Sequence, residues 1–310
     1  MPSGNKKAGL PKGIITALVT PLIDGKKVNS DALRMLVDFQ VRNGVSGFFI
    51  LGTYGEGLSI DPSIRKAFAE EVVEYVGSRV PVINCISSTS IDVSMELARH
   101  SADIGIRHIA LLPPLYYKVG VSELLRFYKE FDRLGLDMLI YNNPPKTGVD
   151  ITPAIFKAIS AETNNLVGIK DSTASIERVL ELTSDLSEEY YVAIASDVMI
   201  LEAFLYNADS HICGICNAVP ELGNLLYKSI VRGDIAEAMR YKRAIWMLRR
   251  IARDLQVEGL SLVKAMLRIR GLDVGEPLPP IRALNEKELS MLKKALESVL
   301  DNIGIKLELY

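Results

Sequence analysis

The chain has 310 residues, with 36 lysines and arginines against 38 aspartates and glutamates, for a formal net charge of −2. That balance argues against a polybasic nucleic-acid or membrane-surface binder, and 48% apolar with 24% charged residues excludes wholesale disorder. Three cysteines are too few for a disulfide framework, and no apolar run approaches the roughly 20 residues needed to span a bilayer. Met1 to Lys12 carries Lys6-Lys7 with no apolar stretch behind it. Residues 1–12 are therefore expected to be disordered or extended rather than a secretory signal, and the protein to be cytoplasmic.

Short apolar runs alternate with amphipathic stretches from there on. The runs are Ile14–Thr20, Gly47–Leu51, Pro81–Ile86, His108–Leu112, Met138–Tyr141, Leu166–Lys170, Tyr191–Ala195 and His211–Ile215. Continuous apolar runs without polar alternation predict parallel strands buried on both faces. Helix starts are marked between them. Asn29-Ser30-Asp31 precedes the stripe Leu33, Leu36, Val37 and Val41, and Asp61-Pro62 and Thr152-Pro153 put a cap residue before proline. Eight strand–helix units before about residue 232 predict an α/β fold, a (β/α)8 TIM barrel over residues 13–232. An open doubly wound sheet fits the alternation too, but usually has fewer strands. Residues 233–310 keep helical periodicity and predict a C-terminal helical region packed on the barrel.

In such a barrel, chemistry sits at the C-terminal ends of strands. The second run leads into Gly52-Thr53-Tyr54-Gly55-Glu56-Gly57, a glycine pattern that opens backbone amides to an anion or simply turns tightly. The fifth ends at Tyr141, a phenol for a substrate or a packed aromatic. The sixth ends at Lys170, the only lysine within the eight runs. A desolvated lysine loses its charge more easily, and a neutral amine is what imine formation needs. The competing readings are a lysine that snorkels outward or pairs with Asp171. His100 falls in a helical stretch, and His108 and His211 open strands, all suited to structural roles. Without HExxH or a histidine cluster, no metal site is expected. Cys213 and Cys216, three apart on a strand, should face opposite ways and serve as packing.

Together these pieces resemble the dihydrodipicolinate synthase / N-acetylneuraminate lyase family of pyruvate-dependent class I aldolases, from about Lys12 to about Val299. The resemblance is carried by Gly13-Ile14-Ile15-Thr16-Ala17-Leu18-Val19-Thr20-Pro21, Gly52-Thr53-Tyr54-Gly55-Glu56, Pro113-Pro114-Leu115-Tyr116-Tyr117, Tyr141-Asn142-Asn143-Pro144 and Gly168-Ile169-Lys170-Asp171-Ser172-Thr173. Val263-Lys264-Ala265 and Gly271-Leu272-Asp273-Val274-Gly275 extend it. It implies Lys170 as the Schiff-base lysine, Tyr141 as the proton-relaying phenol and Thr53 as the hydroxyl bonded to it. It further implies that the Thr53 and Tyr54 amides hold the pyruvate carboxylate, that Ile212 packs on pyruvate, and that Tyr116 reaches a neighbouring subunit's site. The implied enzyme makes or breaks a C–C bond between pyruvate and an aldehyde. It uses no cofactor and binds neither nucleic acid nor membrane. A homo-oligomer is implied, a tetramer built of dimers.

Three positions depart from the synthase pattern. Tyr54 stands where a smaller hydroxyl residue is usual, Ser87-Ser88 replaces a glycine-rich turn, and Lys146 stands where synthases carry an arginine for the acceptor carboxylate. Lysine keeps the charge but not the bidentate fork. Tyr54 and Ser87-Ser88 argue against an orthodox synthase: Tyr54 resembles the bulky aromatic of hydratase-aldolases that take aromatic substrates, and Ser87-Ser88 is a form that 2-keto-3-deoxy sugar acid aldolases tolerate, whereas Lys146 argues for an acceptor with a negative group. The alternatives are dihydrodipicolinate (4-hydroxy-tetrahydrodipicolinate) synthase and a keto-acid-binding barrel without turnover.

Overall fold

The computed structural model describes residues 6–309. Eight parallel strands close into a barrel: β1 (Gly13–Ala17), β2 (Gly47–Ile50), β3 (Val82–Cys85), β4 (His108–Leu111), β5 (Asp137–Asn142), β6 (Leu166–Asp171), β7 (Tyr191–Ala195) and β8 (Ser210–Cys213). Neighbours in sequence are neighbours in the barrel, and β8 returns to β1 through Gly13 opposite Ser210. The strands lack polar alternation because both faces are buried. Ile15, Phe49, Ile83, Leu139, Tyr191 and Ile212 fill the interior. Alternate residues such as Ile14, Phe48 and Ile50 pack outward against helices. This is the expected (β/α)8 fold.

Helices α1 (Ser30–Arg42), α2 (Pro62–Val76), α3 (Ile91–Asp103), α4 (Val121–Lys129), α5 (Pro153–Glu162), α6 (Ile176–Asp185), α7 (Ile200–Leu205) and α8 (Pro220–Val231) surround the strands. The cap signals act as expected. Asn29 accepts from the Ala32 amide at 3.2 Å, Asp61 from Ser63 at 2.8 Å and Thr152 from Ile155 at 3.3 Å. Each satisfies a donor that a helix start leaves open. A small hairpin, Leu22–Ile23 against Lys27–Val28, follows β1; two-residue strands carry no periodic signal in the sequence. Of the segment expected to be disordered or extended, residues 1–5 lie outside those described. The remainder packs down: Lys7 pairs with Asp209 at 3.0 Å and Leu10 is buried.

One expectation is corrected at β8. Cys213 and Cys216 do not serve as separate packing residues on opposite faces; they form a disulfide. The apolar run His211–Ile215 extends beyond the strand it predicts. The strand stops at Cys213, and Ile215–Asn217 turn as a 3-10 helix. Period-two alternation therefore does not apply to the pair, whose Cα atoms lie 5.4 Å apart.

The C-terminal helices are α9 (Ile235–Asp254), α10 (Gly259–Ile269) and α11 (Glu286–Asp301). Among the described residues, no helix is long and apolar enough to cross a membrane. Their attachment to the barrel mouth is ionic as well as apolar. Lys264 of α10 meets Glu56 of the loop after β2 at 2.6 Å, with both side chains only 2% exposed. Glu56 also accepts from the Leu278 amide at 2.6 Å. Lys264 donates to the Glu276 carbonyl at 3.0 Å. Lys264→Met would leave the Glu56 carboxylate buried without its cation, at a cost of about 3–5 kcal/mol. Urea unfolding should register this, and the double variant Glu56→Gln/Lys264→Met should lose less than the single one. A single-variant loss under about 1 kcal/mol would show that the pair does not hold the loop.

Candidate active site

Strand register brings the central residues together. Tyr141 of β5 lies directly opposite Lys170 of β6, and the next pair is Asn142 opposite Asp171. Side chains alternate, so Tyr141 and Lys170 enter the barrel while Asn142 and Asp171 turn outward. Asp171 accepts from Asn142 Nδ2 at 2.8 Å and meets Arg178 at 3.6 Å. It is therefore taken by α6 and does not pair with Lys170. Nor does Lys170 snorkel: it is 3% exposed.

The Lys170 ammonium nitrogen sits over two aromatic rings, 3.6 Å from the centroid of Tyr141 and 3.7 Å from that of Phe49. Those rings meet edge to face at 5.6 Å. Burial lowers the Lys170 pKa below the ordinary lysine value, and contact with Tyr141 and Cys85 opposes that only in part. The result is an amine at the floor of a cavity that loses its proton more readily than an ordinary lysine. The Tyr141 hydroxyl shares a 2.9 Å hydrogen bond with Thr53 Oγ1 and accepts one from Asn143 Nδ2 at 3.2 Å. Thr53 is held by the turn after β2, where Leu51 and Glu56 adopt φ of +57° and +55°. Among the described residues the Thr53 and Tyr54 amides donate to no protein acceptor, so two N–H groups stay open beside Tyr141.

The cavity above Lys170 measures about 440 Å³ and is lined by Thr53, Tyr54, Tyr141, Lys146, Ile212 and Arg249, among others. A second lobe of about 180 Å³ runs past Thr53 and Tyr141 toward Leu112 and Leu115. A larger depression of about 590 Å³ opens between the Leu22–Val28 hairpin and the stretch from Arg268 to Pro279. It contains none of the lysine, tyrosine and threonine side chains just described and is not the candidate site.

The remaining sequence-derived residues separate into two groups. Tyr54, Lys146 and Ile212 reach the main cavity, Ile212 from the end of β8. Lys146 is not a lone cation: it meets Glu258 at 3.1 Å, with the two side chains 54% and 55% exposed. Tyr116 stands outside. It is 89% exposed, holds a left-handed φ of +77°, and touches Tyr117 edge to face at 5.0 Å. Among the described residues, no group of three or more His, Cys, Asp or Glu side chains is arranged to hold a metal ion.

Sequence reasoning misses several residues at the site. Phe49, Asn143, Asp197, Arg249 and Glu258 all shape it. Phe49 and Asp197 sit within or just after barrel strands, where the strand-end rule could find them. Arg249 lies in an arginine-rich helix that reads as a solvated face, and nothing in the local sequence marks it. The cap on β3 is equally hidden: buried Arg65 donates to the carbonyls of Cys85 at 2.8 Å and Ser87 at 2.9 Å.

An amine desolvated at the end of a barrel strand, with a phenol one strand away, is an arrangement that suits imine formation in a (β/α)8 barrel. Residues 10–299 match the model of the dihydrodipicolinate synthetase family. One relative is the Escherichia coli K12 protein named "Probable 2-dehydro-3-deoxy-D-pentonate aldolase YjhH", 31% identical over 89% of this chain and 93% of the relative. A 4-hydroxy-tetrahydrodipicolinate synthase of Acetivibrio thermocellus is 28% identical over 92% of this chain and 96% of its own. The crystal structure of E. coli K12 YagE in complex with pyruvate superposes with a TM-score of 0.87 at 26% identity, covering 93% of this chain and 98% of that one. The chain belongs to the dihydrodipicolinate synthetase family and is an enzyme of its Schiff-base aldolase and lyase class.

Tyr141→Phe should keep the ring packed on Lys170 and lose only the hydroxyl. Borohydride should still trap an imine, while turnover falls roughly 10²–10⁴-fold, the usual worth of a positioned proton donor. Full activity in this variant would reduce Tyr141 to a cavity wall.

Proposed function

We propose that this enzyme reversibly cleaves a 2-keto-3-deoxy sugar acid into pyruvate and an aldehyde through an imine on Lys170. The observation that carries the reading is the buried Lys170 amine, set against Tyr141 with Thr53 bonded to the phenol. The pyruvate bound by YagE and the pentonate in the name of the E. coli relative support it.

In cleavage, the Lys170 amine adds to the C2 ketone, Tyr141 gives its phenolic proton to the departing hydroxyl, and water leaves behind a protonated imine and a Tyr141 phenolate. That imine is an electron sink two bonds from C4. Tyr141 takes the C4 hydroxyl proton, the C3–C4 bond breaks, the aldehyde leaves and an enamine remains. Protonation at C3 and addition of water then release pyruvate and the free lysine. Condensation runs the same steps in reverse. The open Thr53 and Tyr54 amides hold the substrate carboxylate, Ile212 packs against the pyruvate carbons, and Thr53 relays the Tyr141 proton.

The synthase reading draws on Lys146, a cation at the acceptor end. Its pairing with Glu258 argues the other way, because a paired cation in a wet rim has little left to offer a carboxylate. We therefore favour the sugar acid over the semialdehyde acceptor, with Lys146 and Glu258 bordering the acceptor end as a pair. Lysine, tyrosine and threonine together disfavour a barrel without turnover. Tyr116, exposed and outside its own cavity, suits a role in the site of a neighbouring copy. We infer a cytoplasmic homo-oligomer, a tetramer built of dimers.

Pyruvate with borohydride should add one adduct per chain, on Lys170, and Lys170→Ala should abolish both the adduct and turnover. An adduct persisting in that variant would move the imine to another lysine. If Tyr116 acts in trans, mixing Tyr116→Phe with Lys170→Ala subunits should restore part of the lost activity, since one pairing joins an intact lysine to an intact tyrosine. No recovery after subunit exchange verified by mass would count against a shared site.

A further inference from the structure

Tyr54 is bulky where the resemblance leads one to expect a small residue, and its surroundings are built for it. An added Cβ at Gly214 would collide with the Tyr54 ring, and one at Gly259 would fall 2.6 Å from its hydroxyl. Those glycines leave the ring room between the end of β8 and the start of α10. The Tyr54 hydroxyl accepts a hydrogen bond from Arg249 Nη1 at 3.0 Å. Arg249 comes from α9, outside the barrel, and its Nε meets Asp197 at 3.2 Å. Asp197 is fixed in turn by the amides of Gly214 at 2.8 Å and Ile215 at 3.2 Å.

Two consequences follow from this chain of contacts. A guanidinium has five N–H donors. Two of them are used here, so three have no protein acceptor among the described residues, on a side chain that lines the cavity. Burial raises the Tyr54 pKa, so the phenol keeps its own proton to donate. The charges also cancel. Arg249 is matched by Asp197 and Lys146 by Glu258, and an anion at the acceptor end would face both carboxylates. The cavity wall thus offers donors without net positive charge.

We propose that Arg249 determines acceptor specificity: with Tyr54 it donates hydrogen bonds to the hydroxyl oxygens of a neutral polyhydroxylated aldehyde and disfavours acceptors bearing carboxylate or phosphate. The proposal rests on the aldolase reading above and narrows its substrate class. A site built to hydrogen-bond a hydroxyl discriminates against the analogue lacking it, because its donors, partly buried here with the Arg249 side chain 27% exposed, are then left unpaired.

The test measures kcat/KM in the condensation direction, with pyruvate saturating. Acceptors are D-glyceraldehyde, propanal, succinic semialdehyde and D-glyceraldehyde 3-phosphate. Wild-type enzyme should prefer glyceraldehyde to propanal and to both anions. In Arg249→Lys, which keeps the charge but loses the fork, the glyceraldehyde-to-propanal ratio should fall about ten- to a hundredfold. Tyr54→Phe, which removes one neutral donor, should lower the same ratio about fivefold. Borohydride trapping of pyruvate on Lys170 is measured alongside in every variant and should persist. A wild-type chain that traps no pyruvate overturns the aldolase reading and this proposal with it. Trapping that persists with an unchanged acceptor ratio in both variants overturns this proposal alone. So does a wild-type preference for an anionic acceptor, or loss of trapping in Arg249→Lys, which would make Arg249 a support for the lysine.

Discussion

The site depends on the desolvation of one amine. Lys170 is held over the rings of Tyr141 and Phe49 at the end of β6, where water cannot solvate an ammonium well. The faces of those rings still attract a cation, so the site does not abolish the charge; it brings the neutral and charged forms closer in energy. That compromise suits the role proposed for Lys170, an amine neutral when it attacks and positively charged as an imine. Register supplies the rest. Because Tyr141 is opposite Lys170 across adjacent parallel strands, the phenol is placed by the backbone rather than by a flexible loop. Thr53 and Asn143 then fix the hydroxyl from two sides.

The C-terminal helices do more than cover the barrel. Lys264 anchors the loop that carries Thr53 and Tyr54 by pairing with Glu56 in a nearly dry setting. Arg249 and Glu258 reach the mouth from α9 and the start of α10. Within one fold, chemistry and selection therefore come from different parts of the chain. Strand ends supply Lys170 and Tyr141, the residues proposed for the imine chemistry, while helices outside the barrel supply the wall proposed to read the acceptor.

Much of the fold is legible in the sequence because parallel strands buried on both faces leave an unbroken apolar run, and because caps such as Asn29, Asp61 and Thr152 mark helix starts. Lys170 and Tyr141 are legible for a related reason: a polar residue at the end of such a run sits where a barrel keeps its chemistry. The hidden parts depend on contacts across long stretches of chain. Arg249 and Tyr54 are 195 positions apart, and Arg249 is surrounded in sequence by other arginines that face solvent. Lys146 is visible as a charge, but its neutralisation by Glu258 is not. The disulfide between Cys213 and Cys216 escapes the sequence reading because the strand stops two residues earlier than its apolar run.

The central claim is that burial lowers the Lys170 pKa and makes its neutral amine more available than that of an ordinary lysine. The direct measurement is the initial rate of pyruvate trapping with cyanoborohydride as a function of pH. Only the neutral amine attacks, so the rate should rise with pH and level off at the Lys170 pKa of the free enzyme. The plateau should be reached below the ordinary lysine value of about 10.4. A rate that keeps climbing to that ordinary value would contradict it, since Lys170 would then titrate like a lysine in water.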